Sequence, residues 1–213
     1  MLEYKNTILE KTVIKPTNVL EIGSRDANDA DKLREYFNIK PNNVWVVEPN
    51  PTQQKNIVSK YPEFNLITNP IFNEEKTLTF YGVDVEDQIL NGVSSLLDRV
   101  DNLYSKINTN KLTVKTILGS TLLKTIGYDI DICKIDVEGA TYEVLDSFGE
   151  EIKRLKSIHI ECEHRTVWVN QKLYDDVSDF LIKKDYQQVY FSYCNNDTLQ
   201  SDSIWVQKKF INE

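Results

Sequence analysis

The stretch from Ile130 to Gly139 constrains the fold most, because an apolar strand pattern ends there in charged residues. Successive side chains of a strand point to opposite faces, so Lys134 and Asp136 are expected on the same face. The residues that follow have the spacing of a helix that packs on a sheet: Thr141, Val144, Leu145 and Phe148. The sequence therefore predicts a strand, loop and helix unit. Asp136 and Glu138 lie at the carboxyl end of its strand, where open parallel sheets bind ligands.

Strand and helix patterns alternate along the whole chain of 213 residues. Strand patterns cover residues 18–23, 43–48, 64–68, 77–81, 111–117, 130–137, 157–164, 187–193 and 203–207, with the last strand reached through a turn at 195–197. This alternation predicts an α/β fold with a Rossmann-like, doubly wound, seven-stranded sheet whose last strand is antiparallel. We expect a single domain over residues 18–213, preceded by an N-terminal helical extension over residues 1–17.

Charge and cysteine usage narrow the class of protein. The net charge of -8 argues against a nucleic-acid partner, because phosphate binding normally requires a basic face. Cys133, Cys162 and Cys194 form no C-x-x-C pair and are predicted to be free thiols in a reducing compartment. The chain shows neither a signal-peptide core nor an apolar run of about 18 residues, so we expect a soluble, cytoplasmic protein without a membrane partner.

Acidic residues end the first two strand patterns, where a cofactor is expected. Glu21 and Gly23 close the first strand, Asp26 lies in the following loop, and Glu48 ends the second strand just before Pro49. A dinucleotide cofactor would require G-x-G-x-x-G, so the lone Gly23 disfavours a nicotinamide-binding oxidoreductase. A cofactor with a ribose and an amino-acid cation but no phosphate would favour these acids, and S-adenosylmethionine fits that description. We expect Glu48 to bind the ribose hydroxyls and Gly23 to admit the amino-acid portion.

Five segments together resemble the FkbM family of S-adenosylmethionine-dependent methyltransferases. They are Val19–Gly23, Val47–Pro51, Ser94–Leu96, Lys134–Ala140 and Ile158–Glu161. The resemblance runs from about residue 18 to the C-terminus. It implies the methyltransferase fold, S-adenosylmethionine as cofactor, and methyl transfer to a hydroxyl, commonly on a sugar or a secondary metabolite. The chain departs from the usual family pattern at Glu21, where Asp is usual, at Asp26 and Ala27, where a second glycine is usual, and at Thr141, where an acid is commoner.

Methyl transfer to an alcohol requires alignment of the reactants, and a base helps because the alcohol loses a proton. The candidates for this base are Asp136, Glu138, Glu161, Glu163 and His164. Asp136 is the first choice because it ends the central strand, and it is also predicted to border the cofactor. Asp136, Glu138 and His164 form the predicted catalytic set, with a plain surface position as the alternative for His164.

Two further hypotheses concern charged residues of the same region. Lys134 is predicted to be a buried ammonium paired with Glu161 of the adjacent strand, with a catalytic lysine as the alternative. Asp136, Glu161, Glu163 and His164 could also surround a divalent cation. Their spacing fixes no octahedral geometry, so no metal is predicted.

The expected partner is a small-molecule or glycan acceptor that carries a hydroxyl group and is neutral or cationic, because acidic and polar residues line the predicted site. Residues 82–95 are expected to border it within a long loop. Trp168 and Tyr174 could stack on a sugar, with core positions as the alternative. A non-catalytic module that keeps the cofactor pocket is the alternative function. The sequence leaves the oligomeric state open.

Overall fold

The computed structural model describes residues 1–83, 93–100, 110–194 and 199–212. Its strands are β1 (Val19–Ile22), β2 (Val44–Val47), β3 (Asn65–Ile67), β4 (Thr77–Gly82), β5 (Asn110–Lys115), β6 (Ile132–Ile135), β7 (Ser157–Glu163), β8 (Tyr186–Tyr193) and β9 (Gln200–Gln207). Seven of them form one sheet in the order β3-β2-β1-β6-β7-β9-β8. The first five strands in this order are parallel, and β9 is antiparallel to both β7 and β8. The predicted seven-stranded α/β sheet with an antiparallel last strand is confirmed.

Helices cover both faces of this sheet. They are α1 (Leu2–Lys11), α2 (Asn28–Phe37), α3 (Pro51–Lys60), α4 (Gly119–Ile126), α5 (Thr141–Asp146) and α6 (Tyr174–Lys183). One buried core joins α1, α2 and α3 to the sheet, and the other joins α4, α5 and α6 to its opposite face. Along β1, β6 and β9 the two cores take alternate residues, as a pleated strand buried on both faces requires.

Local sequence signals set the ends of several elements. Asn50 caps α3, because its side-chain oxygen accepts a hydrogen bond from the backbone amide of Thr52 at 3.0 Å, and Pro51 occupies the first helical position. Tyr4 fixes α1 on the sheet, because its hydroxyl donates to the carbonyl of Cys133 at 3.0 Å. The N-terminal helix therefore packs on the central strand.

The strand pattern over residues 77–81 belongs to a separate sheet. Strand β4 pairs with β5 in an antiparallel two-stranded sheet rather than extending the edge of the main sheet. Residues 84–92, part of the long loop predicted over residues 82–95, lie outside the described residues, as do residues 101–109 and the turn predicted at 195–197. None of the described helices is long and apolar enough to span a membrane.

Candidate active site

The carboxyl ends of β1, β2 and β6 meet at Gly23. The amide of Gly23 donates to the carbonyl of Val47 at 3.0 Å, and the amide of Asp136 donates to that of Ile22 at 2.9 Å. Gly23 has a φ of +80°, and a Cβ built on it would collide with the carbonyl oxygen of Asp136. Glycine is therefore required here by the backbone itself, because the ends of two strands touch at this position.

A cavity of about 610 Å³, the apolar cavity, opens at this point. Its apolar wall consists of Ile22, Val47, Ile71, Phe80, Leu96 and Val137. Its rim carries four of the residues predicted to bind the cofactor: Gly23, Glu48, Pro49 and Asp136. The cavity can accept a flat apolar group with polar groups at one edge.

Glu48 is 5% exposed and connects the loop after β1 to the start of α3. One carboxylate oxygen accepts from the amide of Arg25 at 2.8 Å, and the other accepts from the amide of Asn50 at 2.7 Å. Burial raises the pKa of Glu48 to about 7, although these two amides oppose the shift. Each oxygen keeps a second lone pair, so the carboxyl group can still accept a hydrogen bond from a ligand hydroxyl.

A second cavity of about 760 Å³, the polar cavity, lies on the other side of Gly23. It contains the remaining residues predicted to bind the cofactor, Glu21 and Asp26, together with Lys134, Glu138 and Glu161. Gly23, Arg25 and Asp136 line both cavities. The predicted cofactor residues thus lie along two adjoining spaces.

Ser24 supplies an unused hydrogen-bonding group to the polar cavity. Its side chain is 4% exposed, and its hydroxyl has no hydrogen-bond partner among the described residues. Buried hydroxyls in folded proteins nearly always have a partner. A water molecule or a bound ligand would supply the missing partner of this hydroxyl.

Lys134 lies at the centre of a group of carboxylates and is 10% exposed. Its Nζ is 2.9 Å from Asp29, 3.1 Å from Asp136 and 3.6 Å from Glu21. Burial alone would lower the pKa of Lys134, but these carboxylates outweigh it and raise that pKa. Burial raises the pKa of Glu21 to about 8 despite the nearby ammonium, whereas at Asp29 the ammonium outweighs burial and lowers the pKa.

The predicted partner of Lys134 was wrong. Among the described residues, no ion pair joins Lys134 to Glu161, whose carboxylate instead accepts from Gln200 at 3.0 Å. Lys134 is in register with Glu21 on β1 and with His159 on β7, so Glu161 lies two residues farther along β7. Asp29 on α2 is the partner of Lys134 instead. It reaches Lys134 only because the tertiary structure places α2 beside the strand.

Asp136, Glu138 and Glu161 bring carboxylate oxygens within 4.8 Å of one another. Burial, followed by the charges of Asp136 and Glu161, raises the pKa of Glu138. Burial and the charge of Asp136 raise the pKa of Glu161 as well. The three oxygens could contact a cation, but Asp136 is already paired with the Lys134 ammonium, which opposes a divalent ion beside it.

The structure does not bring His164 into this group. Its Nε2 is 2.8 Å from the hydroxyl of Ser201, and its ring stacks on Tyr174 with centroids 4.7 Å apart. Glu163, another candidate for the metal and the base, accepts from Trp168 at 3.2 Å and from Gln171 at 2.6 Å. These side chains support the structure around β7, and Trp168 is 1% exposed, a core position rather than a surface for a sugar.

His159 and Asp202 are polar residues near the site that the sequence did not single out. His159 Nε2 is 2.9 Å from a carboxylate oxygen of Asp202, and both residues line a third cavity of about 620 Å³ that also contains Lys134, Asp136 and Glu161. Because side chains alternate along β7, His159 lies on the same face as Glu161. This alternation could have identified His159 from the sequence. Asp202 had no such signal, because its position depends on the pairing of β9 with β7.

Comparison with known proteins gives one family and several similar folds. A family model described as a methyltransferase FkbM domain matches residues 21–188. The FkbM methyltransferase from Methylobacillus flagellatus KT superposes with a TM-score of 0.57 at 13% identity, over 90% of this chain and 44% of that one. This chain therefore spans less than half the length of that protein. No curated protein sequence matches the chain.

Two further structures are similar in fold at low identity. M. capricolum TrmK, solved with S-adenosylhomocysteine, has a TM-score of 0.53 at 11% identity, over 100% of this chain and 70% of that one. Magnesium protoporphyrin IX methyltransferase from Synechocystis PCC 6803, solved with bound S-adenosylmethionine, has a TM-score of 0.55 at 9% identity, over 97% of this chain and 76% of that one.

Proposed function

The chain belongs to the FkbM methyltransferase domain family, and from this premise we propose that it uses S-adenosylmethionine to methylate a hydroxyl group of a sugar or other small metabolite. One observation supports the proposal above the others. An apolar cavity and a polar cavity adjoin at Gly23, Arg25 and Asp136, so a ligand with an apolar aromatic end and a charged end can occupy both. S-adenosylmethionine has these two ends.

The residues of the two cavities fit this cofactor. Glu48, beside Pro49, would accept the ribose hydroxyls at the edge of the apolar cavity. Glu21, Ser24 and Asp26 would receive the amino-acid portion in the polar cavity, where the unpaired Ser24 hydroxyl gains a partner. When bound, the cofactor would supply a methyl group carried on a sulfonium. The sulfur is the leaving group, and it needs no further activation.

Asp136 is the residue that we propose to align the acceptor hydroxyl and to take its proton. It lines all three cavities, and the Lys134 ammonium at 3.1 Å fixes its carboxylate. Glu138 has a raised pKa, which favours its protonated form, so we assign it hydrogen-bond donation to the acceptor rather than removal of a proton. His164 is left out of the proposed mechanism because its ring lies among aromatic side chains.

We also propose that the acceptor is a small molecule and that the protein works in a reducing, cytoplasmic compartment. The excess of acidic residues supports the exclusion of nucleic acid, since a phosphate backbone would be repelled. Cys133 and Cys162 are buried free thiols, while Cys194 is half-buried. These thiols support a compartment in which cysteines stay reduced.

Replacing Glu48 with alanine is expected to weaken the binding of S-adenosylmethionine by at least about tenfold, because a charge-assisted hydrogen bond contributes roughly 1.5–3 kcal/mol. Calorimetric titration measures the affinity, and the melting temperature verifies that the variant is folded. Glu35→Ala on α2 is the matched control, since that side chain is 65% exposed and lies outside the cavities. Unchanged affinity in Glu48→Ala would remove Glu48 from the cofactor site.

A further inference from the structure

The loop between β6 and α5 contains two consecutive residues with a left-handed backbone. Glu138 has a φ of +49° and Gly139 a φ of +83°. Glycine adopts this conformation at low cost, whereas the Cβ of Glu138 disfavours it. A residue with a side chain stays in this region only where the surrounding structure holds it, and such residues cluster at functional sites. Contacts around the loop must therefore fix the backbone of Glu138.

Ser95 makes one of these contacts. Its hydroxyl donates a hydrogen bond to the backbone carbonyl of Glu138 at 2.6 Å, and its side chain is buried. The hydroxyl oxygen also accepts a hydrogen bond from the amide of Leu97 at 3.0 Å. The Leu97 amide occupies the oxygen as an acceptor, so the hydroxyl hydrogen is directed to Glu138.

Ser95 lies in a segment that is anchored on both sides of the loop. We call this segment, residues 93–100, the strap. The backbone of Ser95 pairs with that of Tyr81 in β4, with N–O distances of 2.8 and 3.2 Å. At the other end of the strap, the amide of Val100 donates to the carbonyl of Val167 at 3.0 Å. Because the strap is fixed at both ends, Ser95 can restrain the loop that it contacts.

Trp168 restrains the same loop from a second direction. A Cβ built on Gly139 would collide with the Trp168 ring, so the ring packs directly on the loop backbone. Trp168 is itself fixed, because its Nε1 donates to Glu163 at 3.2 Å and the Arg99 guanidinium of the strap lies 4.8 Å from the ring centroid. The loop is therefore held between Ser95 and Trp168.

The backbone of Glu138 determines where its carboxyl group lies. That group lines the polar cavity, with an oxygen within 4.8 Å of oxygens of Asp136 and Glu161. Asp136, Glu161, Glu163 and the Arg99 guanidinium are the charged groups that act on it, and burial is the largest cause of its raised pKa. A rotation about φ would move the Cβ and the carboxyl group together, away from Asp136.

We propose that Ser95 is a positioning residue, whose hydrogen bond to the Glu138 carbonyl holds the loop in the conformation that keeps the Glu138 carboxyl group in the polar cavity beside Asp136. This inference rests on the proposed function, in which Glu138 donates a hydrogen bond to the acceptor. Without the Ser95 hydroxyl, the backbone of Glu138 relaxes from the left-handed region. Its carboxyl group then moves toward water and loses its alignment with the acceptor.

The test is an NMR titration of the chain with isotope-labelled glutamate carboxyl groups, in the absence of cofactor and acceptor. Glu138→Gln identifies the Glu138 signal by its loss. We expect a lower pKa of Glu138 in Ser95→Ala than in the wild-type chain, because a carboxyl group that moves toward water loses the burial that raises its pKa. Thr116→Val is the matched control and should leave this pKa unchanged. It also removes a buried hydroxyl that donates to a backbone carbonyl, that of Lys76 at 3.0 Å, but lies outside the three cavities.

The melting temperature verifies that each variant is folded. If Ser95→Ala does not fold, Ser95→Cys retains a side chain of similar shape with a weaker donor, and the pKa of Glu138 should fall by less. An unchanged pKa in the folded serine variant, or an equal fall in Thr116→Val, would overturn the proposal. Failure of both serine variants to fold would also overturn it, since Ser95 would then serve the stability of the fold.

Turnover gives a second readout, with any member of a panel of sugars and small alcohols that the chain methylates. Ser95→Ala should lower kcat by about tenfold or more, the scale of a small misalignment of reacting groups. In a Glu138→Ala background it should cause no further loss, because the hydroxyl acts through Glu138. An equal loss in both backgrounds would contradict the positioning role.

The two proposals fail in different ways. A chain that methylates no acceptor refutes the proposed function only, because the NMR titration needs neither acceptor nor cofactor. A chain that methylates an acceptor while the pKa of Glu138 is the same in Ser95→Ala and wild type refutes the role of Ser95 only.

Discussion

The variant Lys134→Met is expected to lose about 3–5 kcal/mol of unfolding free energy, the usual effect of removing one partner from a buried ion pair. Three carboxylates, from Glu21, Asp29 and Asp136, lie within 3.6 Å of the Lys134 ammonium and would be left without it. A neutral side chain of similar length fills the space but removes the ammonium from Asp136 and leaves Asp29 with only the exposed Lys32. Urea unfolding at neutral pH measures the change.

Lys32→Met is the control for this variant. Lys32 also pairs with Asp29, at 3.0 Å, but its side chain is 54% exposed, so its loss should change the unfolding free energy by less than about 1 kcal/mol. Equal effects of the two substitutions would contradict the buried role of Lys134. Wild-type stability combined with abolished turnover in Lys134→Met would make Lys134 a catalytic residue instead.

The variant Asp136→Asn should turn over its acceptor more slowly by roughly two to four powers of ten, the usual effect of losing an acid-base group. Asparagine keeps the size of the side chain but cannot accept the proton, and it weakens the contact with Lys134. Cofactor affinity should change much less, which steady-state kinetics and calorimetry together resolve.

Asp129→Asn, at a side chain that is 58% exposed and remote from the cavities that bind the proposed cofactor, controls for a general loss of charge. A parallel loss of cofactor affinity and turnover in Asp136→Asn would assign Asp136 to cofactor binding alone. Undiminished turnover would exclude it from the mechanism.

Local patterns were enough to predict the sheet and the edge of it at which the two cavities lie. Strands that end in acids, with Gly23 and Glu48 among them, indicate the carboxyl edge of a parallel sheet because chain direction alone fixes that edge. The same argument placed Asp136 at the end of the central strand, where the structure has it. The chemical roles of these residues stay predictions.

Contacts between distant segments could not be predicted in this way. The pairing of Lys134 with Asp29 depends on how α2 packs on β1, and the His159–Asp202 contact depends on the antiparallel register of β9. Both contacts follow from tertiary structure rather than from a local pattern. The surroundings of His164 likewise depend on tertiary contacts, because a position next to a strand end does not show which way the ring turns.

The backbone conformation bears on the departure from the family pattern at Ala27. Ala27 has a φ of +57° and Arg25 a φ of +48°, in the left-handed region that glycine enters at the lowest cost. A second glycine, usual in the family that the sequence resembles, would suit this turn. The chain adopts the turn with other residues, so the departure leaves the turn itself in place.

A mass-shift measurement tests the central claim most directly, because it separates an enzyme from a module that only binds the cofactor. The chain is incubated with S-adenosylmethionine and a panel of sugars and small alcohols. We predict that at least one acceptor gains the mass of a methyl group, only with cofactor present and far more slowly with Asp136→Asn. A chain that binds S-adenosylmethionine through Glu48 but returns every acceptor unmodified would contradict the account.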